Sequence, residues 1–155
     1  MIEIMVIGVG KIKEKYLQEM IADYKKRISK YAKIEVVELN DESNKIDENV
    51  VKNLEGERII NTIKDGCYVV LLDLKGEMLD SVELSRKIDE ISTYQSSKIA
   101  FVIGGSYGVS ETVKKRSNYK LCFSKMTFPH QLIRGGLLEQ IYRSFKILNN
   151  ETYHK

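Results

Sequence analysis

The strongest constraint on this chain is an alternation between two apolar periods. Met1, Ile2, Ile4, Met5, Val6 and Ile7 form an almost unbroken apolar run ending at Gly8, the pattern of a strand buried on both faces. Tyr16, Leu17, Met20, Ile21, Tyr24 and Ile28 then recur at helical spacing and predict a helix over about 14–30. Ile34, Val36, Val37 and Leu39 read as a second strand, closed by the turn-rich Asn40-Asp41-Glu42-Ser43-Asn44. Val50, Val51, Leu54, Ile59, Ile60 and Ile63 predict a helix over about 47–64, which Gly56 weakens by about 1 kcal/mol and is expected to bend. Tyr68 to Leu74 is a buried strand expected to stop near Lys75-Gly76, and Asp80 with Glu83 forms a capping pair for a helix to about Tyr94. Ile99 to Ile103 is another buried strand, Ser110-Glu111 opens a short helix, and Tyr119 to Phe123 is a last short strand. After Pro129 comes a helix over about 130–149 and a short tail. Strands and helices in regular order imply an α/β fold, a mostly parallel sheet flanked by helices. With no linker, repeat or low-complexity stretch, residues 1–155 read as a single domain.

Composition narrows the class. No apolar run approaches the roughly 20 residues of a membrane span, and no basic segment precedes the first apolar run, so neither a membrane anchor nor a signal peptide is expected. Cys67 and Cys122 are too few for a disulfide framework and point to a reducing, cytoplasmic setting. Two separated Cys and two separated His have no metal-ligand spacing, so no metal is expected. The net charge of +3 hides an asymmetry: residues 114–155 hold nine basic and two acidic side chains, with His130 and His154 in addition. Such an end suits a polyanionic partner, and equally a solvated Lys-rich face.

Ligands of open parallel sheets sit beyond the carboxyl ends of the strands. Three such ends stand out: Leu71-Leu72-Asp73, Ile103-Gly104-Gly105-Ser106 and Phe123-Ser124-Lys125-Met126-Thr127-Phe128-Pro129. The glycine pair permits close backbone approach to a ligand, or a sharp turn with positive φ. Neither G-x-G-x-x-G nor a P-loop is present, so a phosphate cradle is disfavoured. The 123–130 segment offers hydroxyls and backbone groups within an apolar wall, which suits a flat, neutral heterocycle. Taken alone, His130 reads as a helix-start residue satisfied by nearby backbone, the cysteines as buried inert thiols and the last residues as a frayed tail. The last helix carries Arg134, Arg143 and Lys146 beside a stripe of Leu138, Ile141, Tyr142 and Phe145. Gly135-Gly136 should cost it about 1 kcal/mol each, to be recovered by close helix packing, for example across a dimer.

As a set, several segments are familiar. Phe101-Val102-Ile103-Gly104-Gly105-Ser106-Tyr107-Gly108, Phe123 through Gln131, Glu139 through Ile147 and the terminal Tyr153-His154-Lys155 closely resemble the RlmH family. That family comprises the large-subunit ribosomal RNA pseudouridine N3-methyltransferases of the SPOUT superfamily. The resemblance runs from Val6-Ile7-Gly8-Val9-Gly10-Lys11 to the last residue, and so covers the whole chain. It implies a homodimer with a C-terminal trefoil knot, a topology that general folding rules would not predict. It also implies S-adenosylmethionine as methyl donor, contacted by Leu72, Gly104, Phe123, Ser124, Lys125, Met126, Thr127 and Phe128, with no metal.

The implied target is a pseudouridine in a hairpin loop of large-subunit RNA within the assembled ribosome. By the same resemblance, Arg143 holds a phosphate or an oxygen gaining charge, His154 removes the N3 proton or positions the base, and Tyr153 stacks on or hydrogen-bonds the base. The tail of one subunit is expected to complete the site of the other. At Gly135-Gly136 the chain departs from the bulky aliphatic residues typical of the family. The reading set against the enzyme is a non-catalytic ribosome-binding or assembly protein of the same fold. A small-molecule nucleotide-binding enzyme is disfavoured by the missing phosphate loop.

Overall fold

The structure is a computed structural model describing residues 1–42 and 47–155; Ser43 and Asn44 of the expected turn lie outside the described residues. In chain order the elements are β1 (Ile2–Val9), α1 (Lys15–Ile28), β2 (Ala32–Leu39), α2 (Glu48–Thr62), β3 (Tyr68–Met78) and α3 (Ser81–Tyr94). They continue as β4 (Lys98–Ile103), α4 (Glu111–Arg116), β5 (Tyr119–Cys122) and α5 (His130–Leu148). The strands form one sheet in the order β2-β1-β4-β3-β5, and each paired neighbour is parallel. All five carboxyl ends therefore open at one edge of the sheet.

The unbroken apolar runs follow from burial on both faces. Along β1, Ile4 and Val6 join the core beneath α1, α3 and α5, whereas Met5, Ile7 and Val9 join the core beneath α2 and α4. Phe101 and Ile103 of β4 share the first core, and Ala100 and Val102 the second. Alternate side chains along a strand point to opposite faces, so both sets must be apolar. Cys67 and Cys122 are buried free thiols. Among the described residues, no helix is long and apolar enough to cross a membrane.

Local chemistry explains most boundaries. Asp80 accepts from the Glu83 amide at 2.7 Å while Glu83 accepts from the Asp80 amide at 2.8 Å, the reciprocal box expected at the start of α3. Asp47 caps α2 by accepting from the amides of Asn49 and Val50. The helix runs unbroken through Gly56. That glycine is buried where a Cβ would collide with Ser110 Oγ, so α2 packs closely against the start of α4.

The third strand departs from expectation. It does not stop at Lys75-Gly76 but bulges: Leu72 and Glu77 both pair with Leu121 of β5, and Asp73 to Gly76 are pushed out of the ladder. The chain re-enters the sheet because a Cβ on Gly76 would lie only 2.6 Å from the Lys120 carbonyl carbon, an approach open to glycine alone.

The glycines of α5 are explained within one chain. A Cβ on Gly135 would lie 2.9 Å from Met20 Sδ of α1, and one on Gly136 would lie 2.9 Å from Phe123 Cζ. Their missing side chains let α5 approach α1 and the loop after β5, the close helix packing expected to offset their cost.

Candidate active site

The bulge of β3 and the loops after β4 and β5 border a cavity of about 410 Å³ at the carboxyl edge of the sheet, a volume suited to a small-molecule ligand. Leu72, Gly104, Phe123, Ser124, Met126, Thr127 and Phe128 all line it. Lys125 is the exception: it is exposed and outside the lining. Ile103, Val109 and Ile133 add apolar wall, while Asp73, Lys75, Lys52 and Lys114 bring charge to its border.

Each loop has a local cause. Ser124 Oγ accepts from the Met126 amide at 3.0 Å, turning the chain so that Phe123 and Phe128 meet edge to face at 6.3 Å. Gly104 stays a glycine because a Cβ would lie 2.7 Å from Val109 Cγ1. Close packing, rather than backbone conformation, accounts for the pair: positive φ occurs at Gly108, where the loop turns, and at neither Gly104 nor Gly105. Behind the loop, a Cβ on Gly105 would lie 2.7 Å from Glu55 Oε1. Glu55 is 4% exposed, and burial pushes its carboxyl above the usual range.

His130, the first residue of α5, also lines the cavity. Among the described residues nearby backbone does not satisfy it: its Nδ1 is buried without a hydrogen-bond partner. Burial first, and the Arg134 cation second, lower its pKa, with Asp41 opposing. Arg134 is fully buried and clamps the end of β1, Nη1 donating to the Gly10 carbonyl at 3.2 Å and Nη2 to the Val9 carbonyl at 3.3 Å. Glu38 Oε2 receives a further bond from Nη1 at 3.3 Å.

The second group of expected site residues gathers near the other end of α5. Arg143 donates through Nη2 to Glu139 Oε1 at 2.6 Å and through Nε at 3.1 Å, a forked carboxylate contact. Tyr153 donates its phenol proton to the same Oε1 at 3.0 Å, and the Arg143 guanidinium lies 4.7 Å from the Tyr153 ring centroid. His154 Nδ1 is 3.1 Å from Arg143 Nη1. Burial, with hydrogen bonds to Tyr24 and Glu139, pushes the Tyr153 phenol up to about 12. Arg143, Tyr153 and His154 thus form one cluster, with Glu139 at its centre.

The tail is anchored rather than frayed. Asn150 has φ 54°, the left-handed conformation that ends many helices, and turns the chain back. Glu151 then accepts from Tyr31 at 2.7 Å and Lys146 at 2.9 Å, and Tyr153 packs edge-on against Tyr142. Glu139 was missed as a site residue in the sequence reading, although its spacing of one helical turn from Arg143 signals the pairing. Three of the C-terminal cations are taken up within the chain: Arg134 is buried, Arg143 is held by Glu139 and Lys146 by Glu151.

None of Arg143, Tyr153 and His154 lines the cavity. From His130 to Arg143 α5 rises on the order of 20 Å, so within one chain the two groups lie apart.

Comparison with known proteins gives this arrangement a context. A family model described as "Predicted SPOUT methyltransferase" matches residues 2–154. A Clostridium botulinum (strain Alaska E43 / Type E3) protein named "Ribosomal RNA large subunit methyltransferase H" is 56% identical, covering 98% of this chain and 99% of its own. An Alkaliphilus oremlandii protein of the same name is 54% identical over the same shares. Among solved structures, a probable methylase family protein from Haemophilus influenzae Rd KW20 superposes with a TM-score of 0.51 at 14% identity. It covers 95% of this chain and 66% of that one, and supports the fold alone.

Proposed function

The chain belongs to the SPOUT methyltransferases, and from that premise we propose that it methylates large-subunit ribosomal RNA using S-adenosylmethionine. The observation that carries the reading is the cavity at the carboxyl edge, bordered by every residue expected to hold the cofactor except Lys125. Its donor set fits that molecule: hydroxyls and backbone groups for an adenine, and Leu72, Ile103, Phe123 and Phe128 as walls that exclude water. Gly104 keeps the β4 loop free of a side chain at the cavity border. The trefoil knot around these loops is part of the same proposal.

The target we propose is N3 of a pseudouridine. When bound, the cofactor supplies an activated methyl group; the protein supplies alignment and proton management. N3 must lose its imino proton before it can act as a nucleophile. His154 receives that proton or fixes the base. Arg143, oriented by Glu139, stabilises the oxygen that gains negative charge, and Tyr153 packs against or hydrogen-bonds the base. Because this cluster and the cavity lie at opposite ends of α5, a second copy of the chain is needed to bring them together. The active species in this proposal is a homodimer, in which the tail of one subunit completes the cavity of the other.

A chain with net charge +3 has little means of gripping a long naked RNA. The assembled ribosome is therefore the proposed substrate, its surface supplying the remaining contacts. Transfer of labelled methyl groups to ribosomes lacking the modification tests the function. Calorimetry with S-adenosylmethionine tests the cavity separately. A near-normal rate in His154→Ala would remove His154 from the chemistry, and equal rates on an isolated hairpin and on whole ribosomes would refute the need for assembly.

A further inference from the structure

His130 is assigned no part in the reaction above, yet it lines the proposed cofactor cavity. Its Nδ1 is buried without a partner among the described residues, a desolvation cost for a polar ring nitrogen. One helical turn along α5 stands Arg134, fully buried and committed to the end of β1. Buried and hydrogen-bonded there, that cation makes a second positive charge at His130 unfavourable. A ligand with a sulfonium would bring another cation into the same cavity.

We infer that His130 sets the cavity's choice between the methyl donor and its demethylated product: the neutral ring accommodates a sulfonium, and the protonated ring favours the uncharged thioether. The inference rests on the reading that this cavity binds S-adenosylmethionine. Donor and product share the adenosine and amino-acid groups and differ at the sulfur, positively charged in one and neutral in the other. A proton on His130 therefore acts on the difference between the two ligands, while effects on their common parts cancel.

Burial and Arg134 both place the ring's protonation below the ordinary histidine value of 6.5, so it is neutral at pH 7.5 and gains its proton on acidification. The other charged or titratable groups around it are Asp41 after β2, Asp73 and Lys75 of the β3 bulge, Lys52 of α2, Tyr107 after β4 and Lys114 of α4. A variant at His130 separates its contribution from those of Asp41 and Asp73.

The test is calorimetric binding of S-adenosylmethionine and of S-adenosylhomocysteine to the full-length protein between pH 7.5 and 5. In the wild type the ratio of their Kd values should move about fivefold toward the homocysteine ligand as the pH falls, a shift that one added unit charge in a partly solvated cavity can supply. In His130→Asn the ratio should stay flat. A flat ratio in the wild type, or an equal drift in His130→Asn, would overturn the inference. If neither ligand binds at any pH, the cofactor reading fails first and the inference falls with it. Should the variant not fold, proton NMR of the wild type decides. The His130 resonance, told apart from His154 by a His154→Gln variant, should titrate at lower pH with the sulfonium ligand than with the thioether. Equal midpoints would overturn the inference.

Discussion

Replacing Gly8 with alanine attacks the contact that joins the start of α5 to the sheet. A Cβ at Gly8 would overlap the Arg134 guanidinium, lying 2.5 Å from Nη2 and in closer collision with Nε and Cζ. The guanidinium has no free space to enter, because it is fully buried and bonded to the carbonyls of Val9 and Gly10. Either β1 moves or Arg134 gives up those bonds, leaving a buried charge with reduced compensation. Loss of a buried charged partner costs about 3–5 kcal/mol. The lower end applies because Glu38 is 40% exposed and partly solvated, and because alanine lowers the entropy of the unfolded chain. The expected loss is therefore about 3 kcal/mol, or on the order of 10 °C in Tm for a chain of this size. Urea unfolding at fixed protein concentration reads it directly. In an Arg134→Met background the same substitution should cost less than about 1 kcal/mol, giving a coupling of about 2 kcal/mol. A loss below 1 kcal/mol in the wild-type background would refute the clamp.

Four other perturbations separate packing from chemistry. Gly135→Ala meets only the flexible thioether of Met20, so the gain in helix propensity should leave stability within about 1 kcal/mol of wild type by thermal unfolding. Gly136→Ala instead displaces the Phe123 ring from the cavity wall; calorimetry should show S-adenosylmethionine binding weakened by about tenfold, and unchanged affinity would contradict the placement. Glu139→Gln removes the charge that holds Arg143 and one acceptor for Tyr153, so methyl transfer should fall at least about tenfold while cofactor affinity stays the same. Burial raises the Glu55 carboxyl, so the folded state holds its proton more tightly than the unfolded state and is penalised as the pH rises above the unfolded value. Glu55→Gln should accordingly gain stability over wild type at pH 7 and lose that advantage at pH 4, as urea midpoints at the two pH values would show.

The elements were largely legible because strands buried on two faces and helices buried on one write different periods into a sequence. The cavity was legible for a related reason: in a parallel sheet the β3 bulge and the loops after β4 and β5 lie toward one edge, so Leu72, Gly104 and Phe123 converge once the strand order is known. What the pattern concealed were features set by contacts distant in sequence. Gly76 looked like a strand terminator because its close approach to Lys120 is tertiary. Nothing in the helical pattern marks Arg134 as buried, because the space it fills is left by the glycine at Gly8 in β1. Gly135 and Gly136 broke helix propensity for reasons visible only at Met20 and Phe123. The tail looked frayed because the left-handed turn at Asn150 and the Glu151 contacts cannot be seen in its composition. His130 looked satisfied because an absent partner leaves no mark in a sequence.

The central claim is methyl transfer to large-subunit RNA, and the most direct measurement supplies labelled S-adenosylmethionine to ribosomes lacking endogenous modification, with separated subunits in parallel. The account predicts label in large-subunit RNA of the assembled ribosome, confined to N3 of one pseudouridine. Label in other RNA, or no transfer by a protein that binds the cofactor, would contradict it.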